Sequence, residues 1–425
     1  MWIVPCDLIT LATTLLGQRY MARSASDSNT ENELKKIHYQ QNKTVIMKKI
    51  KSFIVAAMAF AMVAPMFIAC SKDDDNKKEE VIENIISEFT VNDKMVAEQK
   101  AKSGKNEAVL LVAFGSTWDN AFKAFDKTKA AYEAAFPNAD VYVCFSSDIC
   151  INRASVGENV DDNGNIVKRD YYEPRYLLHA IGAAKYSKIY VQSLQVIPGE
   201  EFAAVVASVK KFMNNGFIGD AHLDDDYLAK LADDEAIFLG MPLLSDPNED
   251  VTTVAKELNN LYKDEAAQGI VAFMGHGNPD TYDTFKANVR YTQLEEALQK
   301  YSPNYFVGTV DMPGNYKQDV LERMQKKGFD SGKMFLHALM SIAGDHAHND
   351  MAGEGEEYWH AGDPESEENS WYEFFSHKDY EVSVPLSGKH PLGLLELPGI
   401  QNVWISHTKN AEFLEDAYHS MYPEE

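Results

Sequence analysis

The sequence has few of the features that mark disulfide-rich, zinc-finger or nucleic-acid-binding proteins. Only four cysteines occur among 425 residues. None of them forms a C-x-x-C pair or another zinc-ligand spacing, so neither a disulfide framework nor a zinc finger is indicated. Basic residues are also scarce: 40 lysines and arginines against 65 aspartates and glutamates give a formal charge of −25. Because such a charge repels polyanions, we expect no nucleic-acid partner.

Three common catalytic signatures are missing as well. The sequence contains no G-x-S-x-G turn, no P-loop and no G-x-G-x-x-G fingerprint. Serine hydrolysis, nucleotide phosphotransfer and dinucleotide-dependent hydride transfer therefore lose support. What is present is the composition of a folded protein, 45% hydrophobic and 25% charged, in a chain long enough for two domains. Within the globular part, Cys144 and Cys150 are predicted to be core thiols.

The N-terminal part is typical of an export signal followed by a linker. Residues 47–70 have the basic, apolar and cleavage-site order of a bacterial secretion signal. Their end at Ala69-Cys70 resembles a lipoprotein cleavage site, so we expect an exported, periplasmic or outer-membrane lipoprotein held to the membrane through a lipid on Cys70. A retained membrane anchor is the alternative. Residues 1–46 are interpreted as a wrongly assigned or disordered extension, and residues 71–106 as a polar tether.

From residue 107 onward, apolar runs alternate with amphipathic helical patterns. The apolar run 108–114 ends in Gly115-Ser116-Thr117, as expected of a buried parallel strand that leads into a turn. A helix is predicted to follow, with Asp119 as its cap. Further strands and one more helix are predicted at 141–145, 175–184 (the helix), 188–194, 236–239, 269–274, 304–310 and 333–340.

This alternation predicts an α/β protein with two doubly wound parallel sheets. The first domain is expected to span 107–241 and the second 242–425, with the ligand site in the cleft between them, at the carboxyl ends of the strands. The stretch 353–369 is rich in glutamate and lacks periodicity, and we expect a surface loop there.

Three polar clusters follow apolar strands. They contain Glu201 after the third strand, His276 between two glycines, and His346 with His348 in the segment 343–350. Each has a simple structural explanation, as a helix-start carboxylate or a turn histidine. Together, however, imidazole and carboxylate suit cobalt, nickel, iron or zinc, and an imidazole that titrates near neutral pH can accept a proton from a pyrrole nitrogen.

These motifs, in this order, resemble those of the anaerobic sirohydrochlorin cobalt chelatases, a family related in fold to the ferrochelatases. The resemblance covers about residues 107 to 415 and is most specific in Gly-Asp-His-Ala-x-Asn-Asp-Met at 344–351. It implies insertion of Co²⁺ into a tetrapyrrole in anaerobic cobalamin biosynthesis, with Ni²⁺, Fe²⁺ and Zn²⁺ as alternative metal substrates. It also implies that Glu201, His276 and His346 bind the metal and that the two histidines receive the macrocycle protons.

Sirohydrochlorin carries many carboxylates, so a chain of this charge must place cations beside it. Arg153 and Arg175 are predicted carboxylate clamps, and Ser116 with Thr117 is predicted to hold a further carboxylate at a helix start. The sequence departs from the family in its exported N-terminus, in the acidic stretch and in an added segment at 161–169. His348 replaces an expected apolar residue, and a solvated loop position is predicted for it rather than a metal-ligand role.

Export is unexpected for a biosynthetic enzyme, because cobalamin precursors are made in the cytoplasm. The alternative is therefore an exported tetrapyrrole-binding or scavenging protein that holds haem through His276 or His346. A metal-capture lipoprotein is a third hypothesis. The presence of Glu201 beside two histidines favours chemistry, because axial haem binding needs no acid–base partner. The sequence leaves a homo-oligomer open.

Overall fold

The structure, a computed structural model, describes residues 75–217, 221–283, 285–353, 366, 368–387 and 389–414. The predicted extension, the signal segment with Cys70 and most of the acidic stretch lie outside these residues. No helix within the described ranges is long and apolar enough to cross a membrane. Contacts divide the chain after Lys78, and the two sheets described below belong to the unit that begins at Glu79.

The first sheet is largely parallel and carries helices on both faces. Its strand order is β11-β4-β3-β1-β2, in which β11 runs antiparallel to β4 and the other neighbours are parallel. Its strands are β1 (Glu107–Ala113), β2 (Ala139–Phe145), β3 (Lys188–Ser193), β4 (Ile237–Gly240) and β11 (Glu412–Phe413). The helices of this half are α1 (Asp75–Ser103), α2 (Asp119–Ala135), α3 (Asp148–Val156), α4 (Pro174–Ala183), α5 (Glu200–Met213) and α6 (Asp225–Asp233). Central β1 is apolar and buried from Ala108 to Ala113 because both of its faces are covered.

The second sheet is parallel throughout, with strand order β6-β5-β7-β8. Its strands are β5 (Ile270–Gly275), β6 (Tyr305–Thr309), β7 (Gly332–Ala338) and β8 (Tyr380–Ser383). The helices that follow β4 are α7 (Glu249–Ala266), α8 (Val289–Gln299), α9 (Lys317–Lys326), α10 (Trp371–Ser376) and α11 (Pro398–Lys409). The connections include a 3₁₀ turn at Asp280–Tyr282, a π-helical turn at His346–Met351, a hairpin of β9 (Leu386–Ser387) with β10 (His390–Pro391), and a 3₁₀ turn at Leu394–Glu396.

Both sheets reverse their winding direction beside a central strand. In the first sheet β1 lies between β2 and β3, and in the second β5 lies between β6 and β7. The connections after β1 and β3, and after β5 and β7, therefore lead away in opposite directions and leave a crevice at the carboxyl end of each sheet. One apolar core cluster contains side chains from both sheets, which joins the two halves. The predicted α/β class with parallel sheets is confirmed.

The predicted polar tether is wrong for residues 75–103, which form helix α1. Phe89 and Val96 on this helix are buried, and the Phe89 ring packs edge-on against the ring of Tyr176 at a centroid distance of 4.7 Å. Asp93 lies 2.8 Å from His179 Nδ1. Few apolar positions on an otherwise charged helix are enough to dock it when a partner surface exists, and the sequence alone did not reveal that surface.

The C-terminal part of the predicted second domain returns to the first sheet. Strand β11 pairs with β4, and the Trp404 indole donates a hydrogen bond to the carbonyl of Gln195 at 3.2 Å. Residues 242–425 therefore contribute to both sheets. The predicted helix cap also differs: α2 begins at Asp119 itself, whose carboxylate pairs with Lys123 at 2.5 Å.

Candidate active site between the two sheets

A cavity lies where the carboxyl ends of the two sheets meet. It has about 960 Å³ of empty space, its open mouth included. Loops after β1, β3, β5 and β7 all contribute to its wall, so the crevices of both sheets open into one space. The lining side chains used below are Phe114, Ser116, Thr117, Cys150, Glu201, His276, Asn278, Tyr291, Asp345 and His346.

The two predicted histidines lie beside each other in this cavity. His276 directly follows β5, and His346 begins the π-helical turn after β7, the neighbouring strand. Their ring centroids are 4.8 Å apart and the rings are nearly perpendicular. The side chains are 41% and 42% exposed, so both imidazoles are accessible to a ligand.

Each imidazole uses its Nδ1 atom in a hydrogen bond. Nδ1 of His276 lies 2.7 Å from the carbonyl oxygen of Gly277, and Nδ1 of His346 lies 2.5 Å from Oδ2 of Asp350. Because both partners are acceptors, Nδ1 donates in each case and Nε2 is left to bind a metal or to accept a proton. Nε2 of His276 also lies 3.7 Å from Asp311 Oδ2, which provides an anionic neighbour for a protonated ring.

His346 and Glu201, two of the predicted metal ligands, have raised pKa values, for opposite reasons. Burial lowers the pKa of His346, but the hydrogen bond that its Nδ1 donates to Asp350 and the charges of Asp350, Asp311 and Asp345 outweigh it and raise the pKa above its ordinary value. Burial raises the pKa of Glu201, and the nearby His276 and His346 offset only part of this effect. Both groups therefore hold a proton more readily than they would in water.

Two glycines allow the loops of the two sheets to meet. A Cβ atom on Gly199 would lie 2.5 Å from Asn278 Nδ2, so glycine lets the loop before Glu201 contact the loop after His276 without a shift of the Asn278 side chain. Gly277 has a φ of +78°, and a Cβ atom there would lie 2.8 Å from Met312 Cβ. The backbone around His276 thus depends on glycine.

The other predicted ligand-binding residues are placed differently from one another. Ser116 and Thr117 line the cavity, and Thr117 Oγ1 accepts a hydrogen bond from Asn159 at 2.8 Å. Arg153 lies at the rim, with its guanidinium 4.0 Å from Asp345 and its side chain 51% exposed. These positions agree with a binding role.

Arg175 is not brought to the cavity. Its guanidinium pairs with Glu173 at 2.6 Å and lies 4.7 Å above the ring of Tyr176, on the face covered by α1. The predicted carboxylate clamp at this residue is therefore not supported. At the start of α4, Tyr176 packs against Phe89 of α1, the helix that was not expected from the sequence.

His348 is buried rather than solvated, so that prediction is wrong. Its ring stacks face to face on the indole of Trp118, with centroids 3.6 Å apart. A π-helical turn has an extra residue per turn, which changes the direction of the side chains within 346–351 relative to an ordinary helix. Cys144 is buried as predicted, whereas Cys150 is half-buried and lines the cavity.

Three site residues were missed from the sequence. Trp118 donates an indole hydrogen bond to Asp345 at 2.5 Å, and its position directly after Ser116-Thr117 was a signal. Tyr291 is buried below the cavity, where its hydroxyl accepts a hydrogen bond from the Gly277 amide at 3.4 Å and burial raises its pKa. For Asn278 the sequence offered only a weak indication of a site role, its position directly after Gly275-His276-Gly277.

The predicted metal ligands share a cavity without forming a preassembled cluster. Among the side chains that the structure describes, no three His, Cys, Asp or Glu residues are close enough to hold one metal ion together. Glu201, His276 and His346 therefore remain a predicted ligand set.

Comparison with known proteins gives the family. The family model described as cobalt chelatase (CbiK) matches residues 107–412, most of the chain and both sheets. The chain belongs to the cobalt chelatase family. The resemblance found in the sequence motifs is thereby confirmed, and the protein is a metal chelatase, a lyase.

Two similar proteins are named as sirohydrochlorin cobaltochelatases. Sirohydrochlorin cobaltochelatase CbiKC of Nitratidesulfovibrio vulgaris is 28% identical over 258 residues, which cover 60% of this chelatase and 78% of the relative. Sirohydrochlorin cobaltochelatase of Salmonella typhimurium is 26% identical over 259 residues, covering 60% and 83%. Among solved structures, SirB from Bacillus subtilis with Fe³⁺ is 13% identical, covers 72% of this chain and 95% of its own, and has a TM-score of 0.42.

For a cobalt chelatase the metal ion is a substrate. Imidazole and carboxylate are donors that divalent cobalt accepts, and His276, His346 and Glu201 are among the cavity side chains that offer them. The cavity thus combines the donors that the reaction needs with groups able to carry protons.

Proposed function

We propose that this chelatase inserts Co²⁺ into sirohydrochlorin, the reaction for which its two relatives are named, and that Glu201, His276 and His346 receive the metal. The observation that carries the proposal is the pair of imidazoles 4.8 Å apart that face the Glu201 loop in one cavity. These side chains come from both sheets, and they lie at the strand ends where α/β proteins bind ligands.

The proton transfer in this proposal follows from the hydrogen bonds. Entry of a divalent ion into a free-base tetrapyrrole releases two pyrrole protons. Nε2 of His346 accepts one of them, and the resulting imidazolium keeps a charge-assisted hydrogen bond from Nδ1 to Asp350. Nε2 of His276 accepts the other, and Asp311 at 3.7 Å balances its charge.

Glu201 has a separate role in this proposal. Its carboxyl is half-buried at the start of α5, where burial raises its pKa and the two imidazoles counter that effect. An incoming divalent cation is held by the Glu201 carboxylate until the tetrapyrrole nitrogens replace the protein ligands. Positioning and acid–base transfer, rather than a covalent intermediate, lower the barrier.

The test is an anaerobic absorbance assay on the purified full chain, with sirohydrochlorin and Co²⁺. The His276→Ala, His346→Ala double variant is compared with the wild type, and His222→Ala, an exposed histidine outside the cavity, is the matched control. We expect insertion above the uncatalysed rate in the wild type and the control, and none in the double variant. Stable pigment binding without insertion by the wild type would instead identify a tetrapyrrole carrier.

The choice of metal ion is tested with the same assay. Imidazole and carboxylate do not by themselves separate Co²⁺ from Ni²⁺, Fe²⁺ and Zn²⁺, so the assay is repeated with each ion, and Co²⁺ is expected to give the highest kcat/KM.

On the basis of residues 47–70, we also propose an exported lipoprotein anchored through Cys70. When cells are grown with labelled fatty acid, we expect the label to be incorporated into the wild-type protein and not into the Cys70→Ala variant.

A further inference from the structure

An exposed apolar surface continues outward from the cavity on the side of the first sheet. Large apolar side chains that are 45–66% exposed are grouped here, and we call this group the mouth patch: Phe114, Ile149, Val156, Val160 and Ile166. Phe114 also lines the cavity itself. Single exposed apolar residues are common on proteins, but a group at the edge of a ligand cavity indicates a binding surface.

Helix α3 is held against the end of β1, next to the cavity. The Ser147 amide donates to the Phe114 carbonyl at 3.0 Å, and the Ser147 hydroxyl caps the helix by accepting from the Cys150 amide at 3.3 Å. A Cβ atom on Gly115 would lie 2.7 Å from Cys150 Cβ, so the glycine permits this close approach. The position of α3 at the rim is therefore fixed by backbone contacts.

One stripe of this helix faces the approach to the cavity. At 3.6 residues per turn, Ile149, Arg153 and Val156 lie within about 60° of one another around the helix axis. Along the axis Arg153 lies between the two apolar residues, and around the axis it lies on the side toward Cys150. Cys150, which lines the cavity, lies about 60° from Arg153 toward the buried side, where Ala154 packs. The stripe is thus an apolar strip with one cation at its centre and the cavity along one edge.

The segment after α3 extends this surface. Val160 and Ile166 face each other in an antiparallel bridge, and Ile166 lies so close to Gly157 that a Cβ atom on the glycine would be 2.4 Å from its Cγ2 atom. Asn159 donates to Thr117 in the cavity wall at 2.8 Å. The added segment is therefore held beside the end of α3 and the cavity wall.

We propose that the mouth patch, with Arg153, is the platform on which the tetrapyrrole ring lies as it enters the cavity. This inference rests on the proposed function. A tetrapyrrole has flat apolar faces and, in sirohydrochlorin, a rim of carboxylates, which matches an apolar strip with a central guanidinium. The ion pair of Arg153 with Asp345 spans 4.0 Å and both side chains are about half exposed, so a ligand carboxylate can replace Asp345 at little energetic cost.

Charge favours this occupant over a lipid surface. The exposed carboxylates of Asp148 and Glu158 flank the stripe, and Glu158 lies 3.4 Å from Arg153. The whole chain has a formal charge of −25. An anionic bilayer would be repelled over its whole area, whereas a small ligand can pair one carboxylate with Arg153 and leave its other carboxylates in solvent.

The experiment measures sirohydrochlorin binding to the full chain without metal, and metal insertion under the same anaerobic conditions. The test variant is Ile149→Ser, Val156→Ser, and the matched control is Leu261→Ser, which removes a leucine that is 50% exposed on α7, away from the mouth patch. Loss of two apolar contacts is expected to raise the pigment Kd about tenfold or more. KM for the pigment should rise in parallel, while kcat at saturating pigment and the melting temperature stay at the control values.

A second variant, Arg153→Met, keeps an apolar stem and removes the charge. It is expected to weaken pigment binding severalfold and to make the Kd less sensitive to salt. An unchanged pigment Kd in the double variant would overturn the proposal. The proposal would also be overturned if the double variant lost binding to phosphatidylglycerol-containing vesicles while its pigment binding stayed intact. The patch would then serve a membrane. If the wild type itself neither binds nor metallates the pigment, the proposed function fails and this inference fails with it.

Discussion

Two histidine–aspartate pairs in this chelatase have similar chemistry and different surroundings. In the cavity, His346 Nδ1 lies 2.5 Å from Asp350, and the two side chains are 42% and 33% exposed. Between α11 and α7, His407 Nε2 lies 2.9 Å from Asp250, and the side chains are only 16% and 9% exposed. In both pairs burial lowers the pKa of the imidazole, and the aspartate more than reverses this effect.

The difference lies in the second nitrogen. His407 uses Nδ1 as well, in a 3.1 Å contact with the Met241 carbonyl, so both of its nitrogens stabilise the fold. His346 leaves Nε2 open to the cavity. The same pair therefore serves stability in one place and proton transfer in the other, and the surroundings rather than the residue types decide which. The predictions below test this division.

The largest expected effect is on catalysis at His346. His346→Ala removes a proton acceptor and a metal donor, and we expect the insertion rate to fall by about 10²- to 10⁴-fold with little change in stability. Single-turnover absorbance measurements test this, together with thermal melts. His407→Ala is the matched variant, and at a temperature where it is folded its insertion rate should remain near that of the wild type. Similar rate losses in both variants would break the comparison.

The next largest effect is on stability at His407. The folded-state pKa of His407 is raised, so the contribution of the pair is complete below the unfolded pKa of about 6.5 and is lost as the pH rises through the folded pKa. His407→Ala is expected to lower the free energy of unfolding by about 1.5–3 kcal/mol at pH 6 and by less at pH 9. Urea unfolding at the two pH values measures this, and a loss that is equal at both would contradict the assignment.

Asp350 is expected to control the pH dependence of insertion. Because Asp350 raises the pKa of His346, Asp350→Asn should lower that pKa, and the neutral imidazole should then predominate at a lower pH. The acid limb of the kcat/KM profile is expected to shift to lower pH, whereas the exposed Asp233→Asn leaves it in place. An alkaline limb that moves to lower pH in Asp350→Asn, with the acid limb unchanged, would instead show that the protonated imidazole is the active form.

The smallest expected effect is at Trp118. Trp118→Phe preserves a ring against His348 but removes the hydrogen bond to Asp345, whose side chain is 52% exposed. We expect the transition state for insertion to lose about 1 kcal/mol of stabilisation or less, which lowers the insertion rate by at most about fivefold. Trp118→Ala also removes the stacking and should be slower than Trp118→Phe. Equal rates for the two variants would assign no role to the stack.

Local sequence patterns predicted the strands and the points where the chemistry lies. The run predicted at 108–114 is β1, at 107–113, and the run predicted at 269–274 is β5, at 270–275. Continuous apolar runs are unambiguous because both faces of a parallel sheet are covered, and glycine–polar clusters at their ends mark the crevice side. The motifs around His276 and His346 could therefore be placed in one cleft without coordinates.

Tertiary contacts decided what local patterns could not. Trp118 and Asp345 are 227 residues apart in the chain, and no local pattern shows that they meet or that His348 is buried by the same indole. Arg153 and Arg175 look alike in the sequence, yet only Arg153 reaches the rim. The sequence by itself determined the α/β order, the strand ends and the residue types of the site, because these depend on neighbours in the chain. Burial, the raised pKa values and the choice between the two arginines depend on segments brought together only by folding.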